Sequence, residues 1–176
     1  MMNINKKSVL KYADAYNKRY KAHDETTEIE MKRLLKKQRY LRQKELVRIG
    51  MWKSKRPKRH YESEENDDLT VEETTKFSFK TRSEKARIRS LLALKGVSWP
   101  AASAILHFAF PKKYPIMDFR VIWSLGWKQP SSYNFNFWQK YCKKINAISK
   151  KCKLPIRTVE KSLWEYSKEH QRSNSS

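Results

Sequence analysis

The chain has 176 residues with 40 Lys and Arg against 18 Asp and Glu, a formal net charge of +22. Such an excess repels itself in a compact fold and fits a polyanionic partner. Aromatic residues make up 12% of the chain, six of them Trp, which excludes a disordered basic tail. Three glycines, Gly50, Gly96 and Gly126, are too few for a glycine-rich phosphate loop. Cys142 and Cys152 do not make a disulfide framework, and the apolar run Trp99–Phe110 is too short to span a bilayer. The N-terminus lacks the continuous apolar core of a secretory signal. These features predict a reduced, cytoplasmic protein with nucleic acid as its partner and no membrane association.

The first 24 residues read as a basic, mobile arm, residues 25–171 as a single domain, and 172–176 as a disordered tail. Met31, Leu34, Leu35, Leu41 and Ile49 share one helical face and predict a helix over roughly 25–49, stopped at Gly50. Residues 36–59 hold eleven basic side chains and one acid, Glu45; residues 62–73 then hold seven acids and no base. Within the first run, Lys53, Lys55, Arg56, Lys58 and Arg59 are candidate phosphate contacts. The acidic run reads as a solvated loop, with Thr70 and Glu73 as a capping box for a following helix.

Further helices are predicted over 83–94, from Ile88, Leu91 and Leu92, and over 101–110, ended by Pro111. Asp118 is a candidate N-cap for the helix through Val121, Ile122 and Leu125, with Gly126 at its end. Two more helices follow from Trp138, Tyr141, Ile145 and Ile148, and from Val159, Leu163 and Tyr166. No segment alternates as a strand, so the fold class is all-α, a multi-helix domain built around residues 84–110. Lys143, Lys144, Lys150, Lys151 and Lys153 add further candidate phosphate contacts in the last third, Lys143 and Lys144 foremost.

The stretch SLLALKGVSWPAASAILHFAF, residues 90–110, reads as helix, tight turn, helix. Gly96 supplies the positive φ that the turn requires, Ser98 caps the second helix, and Pro100 sits in its first turn, where a missing N–H costs nothing. Ala101, Ala102, Ser103 and Ala104 let the two helices approach closely. The turn residues Lys95, Gly96, Val97, Ser98 and Trp99 are candidate backbone-phosphate contacts, since a helix N-terminus presents N–H groups to an anion. The same pattern also suits a plain helical hairpin.

LKGVSWPAASAIL resembles the helix-hairpin-helix signature of the endonuclease III-like DNA glycosylases, and PKKYPIMDFRVIWSLG resembles the segment that follows it in that family. The resemblance covers residues 84–126, about a quarter of the chain; WKSKR (52–56) and RTVEKSLWEYS (157–167) also resemble pieces of bacterial hairpin proteins. Asp118, 22 residues after Gly96, stands at the family's spacing for a carboxylate that stabilises the oxocarbenium-like sugar as the flipped base departs. Arg120 would meet a phosphate or help hold that aspartate. Pro100 stands where lyase members carry a Schiff-base lysine, so the resemblance implies a monofunctional glycosylase without lyase activity; Ser98 stands where the family usually carries a second glycine, a departure in the phosphate-binding turn. Two cysteines exclude an iron–sulfur cluster, while a monovalent cation at the hairpin is compatible with the family. His23, His60, His107 and His170 lack metal-ligand spacing. Trp52, Trp99, Trp123 and Trp127 are candidates for core packing or for a wedge that fills the gap left by a flipped base.

Three functions therefore stand at this point: a glycosylase-like enzyme acting on double-stranded DNA through Asp118, a non-catalytic duplex-binding module, and an RNA- or ribosome-associated protein. Asp118 is equally explained as a helix cap alone. Nothing in the sequence fixes an oligomeric state.

Overall fold

The computed structural model describes residues 1–171, with the backbone alone over residues 21–25. The expected tail, 172–176, lies outside the described residues. Among the described residues there are helices and no strands: α1 (Lys6–Gln38), α2 (Gln43–Lys53), α3 (Lys58–Tyr61), a 3-10 turn (Glu64–Asn66), α4 (Asp68–Lys80), α5 (Glu84–Leu92), α6 (Trp99–Ala109), α7 (Phe119–Ser124), α8 (Phe135–Cys152) and α9 (Ile156–His170). The all-α class read from the periodicity holds. No helix among the described residues is long and apolar enough to cross a membrane.

The chain forms two compact units: Ala22–Tyr114, here the central unit, and Met1–Lys21 with the chain from Pro115 onward, here the terminal unit. In the central unit, Leu35, Leu41, Leu46, Ile49, Ile88, Leu91, Ile105 and Leu106 are all buried, and α6 packs on α2 and α5. Small residues Ala101, Ala102, Ser103 and Ala104 are all buried on α6, the close packing that their size permits. α4 ends on Arg87 of α5, whose buried guanidinium donates to the carbonyls of Ser78 (2.6 Å), Phe79 (3.1 Å) and Thr81. These carbonyls have no intrahelical donor, so one fixed side chain supplies what the helix end lacks.

In the terminal unit, α8 buries Trp138, Tyr141, Ile145, Ile148 and Cys152, one face at helical spacing, and α9 buries Val159 and Leu163. The Tyr141 hydroxyl donates to the Ile116 carbonyl at 2.7 Å, and the Ile116 N–H donates to the buried Glu160 carboxylate. These bonds fix the extended segment that delivers Asp118. Ser124 donates its hydroxyl to the Leu163 carbonyl at 2.5 Å, tying α7 to α9.

Three element boundaries differ from the sequence reading. The expected mobile arm is helical from Lys6, with Val9, Ala13 and Tyr16 buried. Tyr12 meets Tyr166 edge-on at 5.2 Å and Tyr16 meets Trp164 at 5.4 Å, so packing on α9 orders a segment whose charge alone suggested mobility. The single helix expected over 25–49 is two helices, broken where Arg39 takes φ 64°. There the Leu41 N–H donates to Thr75 Oγ1 at 2.9 Å, and the Arg42 N–H to Glu45 at 2.9 Å. Gly50 lies inside α2 because the Tyr61 ring, 2.4 Å from where a Cβ would stand, leaves no room for a side chain. Finally, α4 starts two residues before the expected Thr70 cap: Asp67 accepts from the Thr70 N–H at 2.7 Å, and that bond lowers the Asp67 carboxyl below its ordinary value.

Candidate nucleic-acid interface

The helical hairpin expected over 84–110 is present as α5 and α6, joined by residues 93–98. Ser83 caps α5 through the Ala86 N–H at 3.2 Å, and Ser98 caps α6 through the Ala101 N–H at 3.5 Å. Pro100 falls in the first turn of α6. Gly96 has φ 82°, a conformation that costs an L-residue. A second constraint acts on it: a Cβ there would stand 2.7 Å from the Cβ of His60.

That contact shows how the turn is held. Asn66, fully buried at the end of the 3-10 turn, accepts the Lys95 N–H at 2.9 Å and donates to the carbonyls of Lys95 (3.0 Å), His60 (3.0 Å) and Tyr61 (3.2 Å). One side-chain amide thus joins the hairpin turn to α3, and every polar atom it brings into the core is satisfied. The basic segment 53–59 leads into α3, so Asn66 holds it beside the turn. Lys55, Arg56, Lys58 and Arg59 are exposed and Lys53 is half-buried.

Ion pairs sort these cations. Lys58 pairs with Glu62 at 3.6 Å and Lys95 with Glu65. The acidic run read as a solvated loop therefore partly neutralises the turn. Lys55, Arg56 and Arg59 have no carboxylate partner among the described residues. The N–H groups of Gly96, Ser98 and Trp99 likewise have no protein acceptor among the described residues.

Two of the expected turn contacts change. Val97 is buried and its N–H donates to the Leu94 carbonyl at 3.1 Å, so it packs the turn and is withdrawn as a phosphate contact. The Lys95 N–H is taken by Asn66, leaving its side chain, already paired with Glu65, as the group that faces outward. Trp99 is half-buried at the first position of α6. Trp52 stands edge-on to Phe108 at 5.1 Å, a core contact.

The other expected site residues belong to the terminal unit. Asp118 caps α7, its Oδ1 accepting the Arg120 N–H at 2.9 Å. The Arg120 guanidinium lies over the rings of Phe119 (5.1 Å) and Trp164 (5.2 Å), so it is a stacked cation. Burial, and then the negative charge of Asp118, push the Tyr133 phenol above its ordinary value. Lys143 and Lys144 are exposed on α8. Trp123 stands 6.1 Å from Tyr166, and Trp127 5.9 Å from Phe137. Gly96 and Asp118 thus fall in different units, and the link between them is their spacing in sequence.

His107 is wholly buried, its Nδ1 2.8 Å from the Tyr114 carbonyl, a packed histidine. Among the described residues no group of three or more His, Cys, Asp or Glu side chains is arranged to hold a metal ion. Asn66 is the residue that sequence reasoning missed. Its partners lie five to 29 residues away, and no local pattern announces it. Compared with known proteins, the chain matches no protein-family model, no curated protein and no solved structure.

Proposed function

We propose that the central unit binds the sugar–phosphate backbone of duplex DNA without reading its sequence. The observation that carries this reading is the pairing, through Asn66, of the Gly96–Trp99 turn with the unpartnered cations Lys55, Arg56 and Arg59. Backbone N–H groups at the start of α6 supply donors for a phosphate oxygen, and the guanidinium groups supply charge. Contacts of this kind fix position and carry no base information.

A second reading keeps the glycosylase-like chemistry implied by the sequence resemblance. What favours it is the half-buried carboxylate of Asp118, whose field reaches Tyr133 and Tyr141. Fluorescence titration of two duplexes differing by one stable abasic analogue, repeated over a salt series, separates the two. Equal affinities that fall steeply with salt support backbone binding. A preference for the abasic duplex, together with base release that Asp118→Asn abolishes, replaces it with the enzyme. Weak, salt-insensitive binding to both duplexes removes the two readings together.

A further inference from the structure

The terminal unit carries a second surface, and its chemistry differs from that of the hairpin. Residues 119–159 hold nine Lys and Arg and no acid. On α8 Trp138, Tyr141, Ile145, Ile148 and Cys152 face the core, and Lys140, Lys143 and Lys144, all exposed, lie outside that face. Exposed Lys151 extends the row, which runs about 16 Å along the helix at 1.5 Å per residue. Among the described residues none of these lysines pairs with a carboxylate.

At the start of that row stand half-buried aromatic rings. The Lys140 ammonium lies 4.7 Å from the centre of the Trp127 ring. Trp127 meets Phe137 at 5.9 Å, and Phe137 meets Tyr133 at 5.6 Å. A row of unpaired cations ending in an aromatic platform suits a strand whose bases are free to stack while its phosphates follow the lysines. Duplex DNA keeps its bases inside, so it has no use for the platform. A membrane surface fits poorly, because the apolar face of α8 is already buried in the core.

We infer that this face of the terminal unit binds single-stranded nucleic acid, with bases stacking on Trp127 and phosphates along Lys140, Lys143 and Lys144. The site is independent of the hairpin reading. The test uses the full chain with labelled oligothymidylate and oligouridylate of about 15 nucleotides, and a duplex for comparison. Lys140→Gln/Lys143→Gln/Lys144→Gln changes exposed side chains only and should weaken single-strand binding about tenfold or more. Trp127→Ala should weaken it about 5- to 100-fold, and Trp127→Phe should restore most of the loss. Both variants should leave duplex affinity within about twofold, whereas Lys55→Gln/Arg56→Gln/Arg59→Gln should lower duplex affinity and spare the oligonucleotides.

Unchanged oligonucleotide binding in the folded lysine variant overturns the inference. So does an equal loss for duplex and single strand, which would mean a surface that senses phosphate alone. Oligonucleotide binding by a wild-type chain that ignores duplex would sink the hairpin reading and leave this one standing.

Discussion

The two units solve the problem of excess positive charge differently. The central unit holds 22 basic and 13 acidic residues, a net of +9; the terminal unit holds 18 and 5, a net of +13 in a shorter stretch of chain. In the central unit the acids are spent on specific cations: Glu30 on Arg48, Glu62 on Lys58, Glu65 on Lys95, Glu72 on Arg42 and Lys76, Glu84 on Lys113. In the terminal unit, with far fewer acids to spend, the ion pairs include Asp14 with Lys18 and Glu165 with Arg19. The lesson is that net charge does not locate a binding surface. A cation paired in the fold must give up its partner to meet a phosphate, while an unpaired one has no such cost.

The largest effect is expected where the central unit depends on one side chain. Asn66→Ala leaves the Lys95 N–H and the carbonyls of Lys95, His60 and Tyr61 without their partner. Several buried polar groups left unsatisfied should cost about 3–5 kcal/mol, read as a lowered midpoint in urea unfolding. A shift under 1 kcal/mol would mean that the turn and α3 are held by something else. Gly96→Val follows at about 2–4 kcal/mol, from the left-handed φ and the contact with His60. A folded variant of unchanged stability would show that His60 moves aside.

The distinction between paired and unpaired cations is tested by salt slopes. Replacing Lys55, Arg56 and Arg59 together by Gln should reduce the slope of log affinity for duplex against log salt by about 3. Lys58→Gln, already paired with Glu62 at 3.6 Å, should change it far less. Equal effects per residue would erase the contrast on which the comparison rests.

Smaller effects belong to the terminal unit. Asp118→Ala should cost about 1 kcal/mol through loss of the α7 cap, and Asp118→Asn, which still accepts the Arg120 N–H, should cost little. Calorimetric midpoints of both variants decide whether capping is that residue's structural share. Glu165 gives a pH signature. Burial raises its carboxyl pKa, and the charge of Arg19 only partly offsets this. The folded state therefore favours the protonated acid: the stabilisation is full at pH below the ordinary carboxyl range and is lost as pH rises through the raised value. Thermal midpoints between about pH 4 and pH 8 should fall less steeply in Glu165→Gln than in the wild type.

Local chemistry made much of this fold readable in the sequence. Gly96, Ser98 and Pro100 act within a few residues of themselves, so the hairpin could be placed from their types and order. The same holds for Asp118 as a cap and for the apolar faces of α8 and α9. The ordered N-terminal helix also left a trace: Val9, Ala13, Tyr16 and Tyr20 recur at helical spacing, a signal outweighed by the charge around them. The break at Arg39 left none, since it depends on Thr75, 34 residues beyond the Leu41 whose N–H it accepts.

What the sequence by itself determined is the all-α class, the hairpin with its caps, and the surplus of positive charge, because each follows from periodicity, short-range hydrogen bonds or a sum over residues. Tertiary structure alone decided that Val97 faces inward, that Asn66 joins the turn to α3, and which cations are already neutralised. Those outcomes depend on groups far apart in the chain meeting at hydrogen-bond distance. Neither residue type nor spacing encodes such meetings until the core has packed.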